Sequence, residues 1–573
     1  MKLELERRFV EALSTRFDRL SGLSDQLRFA NKAEVSFRSL EADEIAFLCQ
    51  LLREAGPRFE PRAAHLTTLQ NALLDESGRL EAKSLEDALV AIARYLTSDA
   101  IRGWMFATSV LDKPLPYVVT RIDYVPASSE ESGKIFIELK ANAKGALTSV
   151  TLRVTDTDLT FRSVGELFAA KGFLKETPEL VAAYDEIAER YLEWRALYGT
   201  QFSGQGIGYY AEDPSATHRD TDWSRKDIVV LSTSGSAARL VNDESVLRNR
   251  SLTLEAPGDI FGSYLRKAGK SNRFEAEDEI RAIDEAMPEG LFKRMPVHPF
   301  ILMFHMELHH YLWVHAGDIT PYAYSPDLRH KLVLPREQTD LIDILTAEMD
   351  VLMDDIVAGK SGGTTVLCAG PPGVGKTLTA EVYSEFIKRP LYRVHSGQLG
   401  LNVASMEAAL KDVLTRAQRW GAVMLIDEAD VYIRRRDDDM TANAVVGVFL
   451  RVLEYFNGLL FLTTNRVDDI DEAIVSRCIA LIRFHAPDAS SRRRIWEVMS
   501  GQFELGLEPA LIDELAETFS DATGRDIKGL AKLVAKWCQH KSVAPSLEVF
   551  LRCSVFRGMD AVTTAAAEEL VES

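Results

Sequence analysis

The sequence predicts an α/β fold for its second half: a parallel sheet covered on both faces, followed by a C-terminal helical lid and preceded by a helical and a mixed α/β N-terminal region. Three observations carry this. From Leu334 onward, short apolar runs ("TTVLCA", "LYRV", "AVMLI", "LLFLTT") alternate with stretches of helical period, as buried parallel strands do. A glycine-rich loop, "AGPPGVGKTLTAE", stands between the first of these strands and an amphipathic run. After Pro487 only helical periodicity remains, in "RRIWEVM", "ALIDELAETF" and "IKGLAKLVAKW".

Taken in order, residues 1–113 read as helical. Leu5, Phe9, Leu13, Phe17 and Leu20 recur at helical spacing, and Ser84 with Asp87 opens a second run through Leu89, Ile92 and Leu96. Near Pro114 the character changes, and residues 114–333 read as a mixed α/β or β-rich domain. "KIFIELK" and "SVTLRV" alternate apolar and polar residues, a strand pattern. A helix is capped by Thr177, takes Pro178 at its first position and runs towards Gly199. "DIVVLSTSGSAARLV" reads as two strands around a Gly-Ser turn. His305 and His309, with Glu307 between them, have the spacing of metal ligands on a helix, but "FILMF" and "YLWV" on either side read as a hairpin that would separate them. "SGQGIGY" is followed by no helix pattern and reads as a turn. Residues 334–487 hold the sheet, with helices expected over Lys376–Ile387, Met406–Trp420 and Asn443–Asn457. Residues 488–573 hold the lid and a tail.

The whole chain sets bounds. Its 573 residues allow three or four domains with ample cores, and 46% hydrophobic with 27% charged residues describes a globular protein. A net charge of −19 argues against broad binding to nucleic acid or anionic membrane, both of which need a positive field. Five cysteines stand without any C-x-x-C pair, which suits a reducing compartment. No signal peptide and no bilayer-length apolar run is legible, so a cytoplasmic location is expected.

The chemistry is expected in the glycine loop. Gly370 to Thr377 fits G-x-x-x-x-G-K-[ST], the pattern of a P-loop NTPase. Gly370, Pro371, Pro372, Gly373, Val374 and Gly375 would let backbone N–H groups cradle phosphate oxygens, while Lys376, Thr377 and Leu378 open the helix behind them. Lys376 would reach the outer phosphates and the Thr377 hydroxyl would ligate magnesium, Mg2+. "AVMLIDEAD" sets Asp427 and Glu428 at the carboxyl end of an apolar strand, where open α/β sheets bind ligands. Asp427 is expected to hold the metal through its water shell, and Glu428 to activate the attacking water. Asn465 ends "LLFLTTN", a strand expected between the other two in space, within reach of the γ-phosphate or the attacking water. Arg477, a helix later, could add positive charge.

These motifs together resemble the AAA group of the AAA+ ATPases, over about Leu334 to Leu551. "GPPGVGKT" looks like Walker A, "MLIDEAD" like Walker B, and "TTN" like sensor 1 at Asn465. "DEAIVSR" makes Arg477 the arginine finger, and "GRDIKGL" puts Arg525 at the sensor 2 arginine. "LRHKLVLP" and "RVLEYFNGLLFLTTNRVDDIDEA" are most similar to large AAA proteins, many of them fungal. The resemblance implies ATP and Mg2+ as cofactors, and a homo-oligomeric ring, usually a hexamer, with the finger supplied in trans. It also implies a remodelled macromolecular target, protein ahead of nucleic acid, recruited by the N-terminal region. Two departures stand out. Only one arginine occupies the finger region, and "SGQLGLNVAS" has Leu401 where a pore loop carries an aromatic residue. A second reading therefore stays open, a nucleotide-controlled regulatory or defence switch without threading. "RRRDDD", Arg434 to Asp439, reads as a solvated loop or a substrate contact.

Overall fold

The computed structural model describes residues 2–559, except 28–31, 37–39, 57–58, 60–62, 64–65, 68–79, 81, 98–102, 109–112, 130, 162, 213, 215–226, 234–235, 248–250, 253–294, 348–362, 401–402, 437–439 and 455. The chain divides into two compact units: Met1–Tyr198 with Ser203–Thr320, and Gly199–Phe202 with Pro321–Ser573.

The first unit opens on a strand rather than a helix. Lys2–Glu6 pairs antiparallel with Lys32–Ser36, and the helix expected from Leu5 begins at Arg7 and runs to Arg16. The reason lies in "KLELE", whose period-two alternation buries Leu3 and Leu5 together, before the spacing of Phe9 and Leu13 takes over. An antiparallel sheet then runs in spatial order Ala146–Val154, Lys134–Ala143, Leu115–Val125, Trp104–Ala107, Phe173–Lys175, so its first strand precedes the change in composition at Pro114. Thr177 caps the helix Pro178–Trp194 by accepting from the Leu180 amide. In a second antiparallel sheet, Phe300–His305 and His310–His315 form the hairpin read from the sequence, with His305 opposite His310. His309 sits in its turn at φ 56°, so His305 and His309 share no helix face. Among the described residues, no group of three or more His, Cys, Asp and Glu side chains could hold a metal ion, and no helix is long and apolar enough to cross a membrane.

The second unit carries the parallel sheet: β1 (Thr364–Ala369), β2 (Leu391–His395), β3 (Val423–Asp427), β4 (Leu459–Thr464) and β5 (Ala480–Arg483). The strands are all parallel, in spatial order β2-β3-β4-β1-β5. The longer helices between them are α1 (Lys376–Phe386), α2 (Val403–Trp420) and α3 (Met440–Leu453), and single-turn helices fill the remaining links. β3 and β4 are buried along their whole length, which is why they read as unbroken apolar runs. The core around Val366, Tyr383, Leu425 and Phe461 fixes the pairing. The lid follows as α4 (Ala489–Gln502), α5 (Pro509–Thr518), α6 (Gly524–Lys541) and α7 (Leu547–Val555). Its own core gathers Trp496, Leu515, Phe519, Leu530 and Phe550, with the Trp496 and Phe550 rings edge to face at 5.4 Å.

Candidate nucleotide site

The strand order places the carboxyl ends of β3, β4 and β1 side by side, and β4 does lie between the other two. The loop after β1 turns under backbone constraint. Gly373 and Gly375 take φ of +85° and +102°, a region that side chains rarely occupy. At Gly373 space forbids a side chain as well, since a Cβ there would approach Thr523 Oγ1 to 2.7 Å and Arg525 Cβ to 3.0 Å. The Arg525 amide donates to Gly373 O at 3.1 Å, so the first turn of lid helix α6 rests on the loop. Helix α1 begins at Lys376 with its N-terminus towards the loop, where unpaired N–H groups and the helix dipole favour an anion.

Lys376 joins the loop to the strand tips. Its Nζ donates to Gly370 O and Pro371 O, each at 2.7 Å, and to Asn465 Oδ1 at 2.9 Å. Burial lowers its pKa, against the opposing charges of Asp430 and Asp427. The Asn465 backbone N–H donates to Asp430 Oδ1 at 3.2 Å, which holds the strand tip in place.

Asp427, at the end of β3, is buried and held by three donors. Its Oδ1 accepts from Thr463 Oγ1 at 2.5 Å and Thr377 Oγ1 at 3.0 Å, and its Oδ2 accepts from Arg393 Nη2 at 2.6 Å. Burial opposes its charge, but the two hydroxyls and the guanidinium outweigh burial and leave the carboxyl below its usual range. Glu428 is exposed, with its amide donating to Thr463 Oγ1 at 3.1 Å, and its backbone sits at φ 55°. A left-handed glutamate is strained, and such residues gather where geometry serves a site.

These groups border one cavity of about 630 Å³. The loop from Pro372 to Leu378 lines it, with Asp427, Glu428, Asn465 and Arg525. Gly370 and Pro371 contribute the carbonyls that receive Lys376. Apolar walls come from Leu334 before the sheet and Ile495 in the lid, so a flat apolar moiety and a polyanion could share the space. Arg477 lies elsewhere: its guanidinium pairs with Glu454, Nη2 to Oε1 at 2.5 Å, and caps the Ala473 carbonyl at 3.1 Å. Leu401 falls outside the described residues, as do 437–439 of the charged run, while Arg436 pairs with Asp471 at 2.8 Å. Arg393 and Glu381 also line the cavity, and the sequence reading passed over both. The signal available for Arg393 was a charged residue inside the apolar strand "LYRV".

A magnesium ion fits the donor chemistry. Thr377 Oγ1, Asp427 and Glu428 offer only hard oxygen ligands, and the first two already touch each other. Bound there, a divalent ion would neutralise negative charge on a nucleotide's outer phosphates.

Residues 366–486 match the family model "ATPase family associated with various cellular activities (AAA)". This chain carries an AAA ATPase domain. The match begins in β1 and ends just past β5, so it takes in the sheet and the glycine loop but not lid helices α4 to α7. Among curated proteins, an AAA domain-containing protein of Schizosaccharomyces pombe is 32% identical over 190 residues, 31% of this chain and 24% of its own length. The AAA family ATPase y4kL of Sinorhizobium fredii is 28% identical over 163 residues, 27% of this chain and 49% of its own. Fidgetin-like protein 1 of Drosophila melanogaster is 27% identical over 190 residues, 31% and 35%. The AAA domain is thus what is shared, and the chain spans from a quarter to about half of these relatives. A solved chain in an E. coli MS115-1 HORMA:CdnC:Trip13 complex covers 40% of this chain at 19% identity, with a TM-score of 0.33, too low to bear on the fold.

Proposed function

We propose that the protein hydrolyses ATP at this AAA site and works as a homo-oligomeric ring, a hexamer, that remodels a macromolecular target. That target is a protein rather than a nucleic acid, and residues 1–333 recruit it. The observation that carries the reading is the convergence of Lys376, Thr377, Asp427, Glu428 and Asn465 on one cavity at the ends of three neighbouring strands. In this reading Lys376 offsets charge on the β- and γ-phosphates. Thr377 and Asp427 hold Mg2+. Glu428 takes a proton from the water that attacks in line, and Asn465 orients that water or the γ-phosphate. Arg525 closes on the phosphates from the lid. Arg477, at the finger position of the AAA motif, leaves its pair with Glu454 to act on a neighbouring subunit's nucleotide.

One sequence feature favours a second reading. The segment "SGQLGLNVAS" lacks the aromatic residue that grips a threaded chain, which suits a nucleotide-controlled switch whose output is assembly and N-terminal binding.

Subunit mixing tests the shared site. Arg477→Ala keeps its own base, and Glu428→Gln keeps its own arginine. Each alone should bind ATP and turn over poorly, the arginine loss costing about 10³–10⁵ in rate. Equal random mixing restores about one interface in four, and activity should recover towards that fraction if sites fire independently. Full activity of Arg477→Ala alone would remove it as the finger.

A further inference from the structure

Arg393 sits where the metal-holding carboxylate needs to be free. Its Nη2 donates to Asp427 Oδ2 at 2.6 Å, and the opposite oxygen, Oδ1, is taken by two threonine hydroxyls. A carboxylate has about four lone-pair positions, so these three donors leave about one for the water shell of a metal ion. The guanidinium charge also offsets the negative charge that would attract a divalent cation.

The same side chain has a second acceptor in reach. Arg393 Nη1 lies 3.5 Å from Glu381 Oε1, a weaker contact than the one to Asp427. Glu381 follows Thr377 by one turn of α1, so both project from the same helix face beside the cavity. Both Arg393 and Glu381 are partly exposed, at 40% and 42%, whereas the Asp427 side chain is 8% exposed. Arg393 Nε, in contrast, is buried and has no hydrogen-bond partner. An unsatisfied N–H penalises the pose on Asp427 and narrows its advantage over a pose on Glu381. Only arginine could bridge the two, because its planar fork presents separate donors to two acceptors, whereas lysine offers a single point charge.

We propose that Arg393 competes with magnesium for Asp427 and moves fully to Glu381 when a metal-bound nucleotide enters. Glu381 is then the second seat that makes the exchange affordable, and the pair sets how much magnesium the site requires. The inference rests on the nucleotide-site reading above and deepens it.

The test is binding, not turnover. A fluorescent, hydrolysis-resistant ATP analogue is titrated onto the full chain at a series of free magnesium concentrations, with an EDTA reference, and the half-saturating magnesium concentration is read. In Arg393→Gln it should fall roughly three- to tenfold, because the competitor is gone. In Glu381→Gln it should rise by a similar factor, because Arg393 loses its alternative partner and stays on Asp427. Opposite shifts from two substitutions on one ion-pair network are not the result of general loosening. An unchanged or raised magnesium requirement in Arg393→Gln overturns the competition, since Arg393 would then merely orient Asp427. An unchanged or lowered requirement in Glu381→Gln overturns the second seat. If the wild-type chain fails to bind the analogue with or without magnesium, the nucleotide-site reading fails together with the inference, whereas equal binding with magnesium and with EDTA sinks the inference alone. A wild-type magnesium dependence that both variants leave untouched sinks the inference alone.

Discussion

Lys376 Nζ donates to Asn465 Oδ1 across 2.9 Å, tying the first residue of the helix behind the glycine loop to the tip of β4. The ammonium is otherwise held by two loop carbonyls, so its position is set by backbone as well as by Asn465. The two residues nevertheless have different expected roles, because only one carries charge.

Lys376→Ala should weaken binding of a fluorescent ATP analogue roughly 10- to 150-fold, the value of a charge-assisted hydrogen bond converted to affinity. Asn465→Ala should stay within a few-fold in binding while steady-state phosphate release drops. Equal affinity in Lys376→Ala would detach the loop from phosphate binding, and unchanged turnover in Asn465→Ala would remove it from the reaction.

Glu428 should show a conflict between stability and function. Its φ of 55° is a conformation that glycine adopts freely. Glu428→Gly should therefore leave thermal stability unchanged or raise it by about 1 kcal/mol or less. Turnover should fall about 10²–10⁴-fold in Glu428→Gly and in Glu428→Gln, as expected for loss of a general base. Calorimetry with an ATPase assay on the same samples checks both halves. Retained hydrolysis in the glycine variant would assign the water-activating role to another group.

His298 should make the first unit sensitive to mild acid. It is fully buried and packs edge to face on Tyr117 at 4.7 Å. Its Nε2 lies 3.2 Å from the Pro116 carbonyl, which can only accept, so Nε2 carries the proton, and Nδ1 has no partner. Burial first, and then the charge of Lys144, push its pKa down from 6.5 to about 3, despite the opposing pull of the Pro116 carbonyl. Between those values the unfolded chain binds the proton and the folded chain does not. Stability is thus complete above about pH 6.5 and falls on acidification by about 1.4 kcal/mol per pH unit, about 2 kcal/mol by pH 5. His315 is depressed in the same direction, by burial and by Lys113. His298→Gln keeps an N–H for the Pro116 carbonyl without a titrating ring, and urea denaturation at pH 7 and pH 5 should show the smaller pH difference in the variant. An identical difference in both proteins would mean that His298 is not neutral in the fold.

The glycine loop, the apolar strands and the acid pair at Asp427–Glu428 were legible in the sequence because each is a local pattern. A loop that must wrap an anion needs glycines and a lysine at fixed spacing, and a strand buried on both faces needs an unbroken apolar run. The lid likewise shows in its helical period. Elsewhere local pattern was ambiguous or silent. "KLELE" carries a strand's alternation and, through Leu5 and Phe9, a helix's spacing, and only pairing with Lys32–Ser36 selected the strand. Beyond the expected place of β4 between β3 and β1, the order β2-β3-β4-β1-β5 has no mark in any single segment, yet it brings Lys376 to Asn465, 89 positions away along the chain. Arg393 meets Asp427 for the same reason: parallel pairing sets β2 beside β3, in register from Leu391 with Val423 to His395 with Asp427. Periodicity states which face of an element is apolar. Which charged side chain then faces which is set by long-range strand pairing and packing, and those exist only in the folded chain.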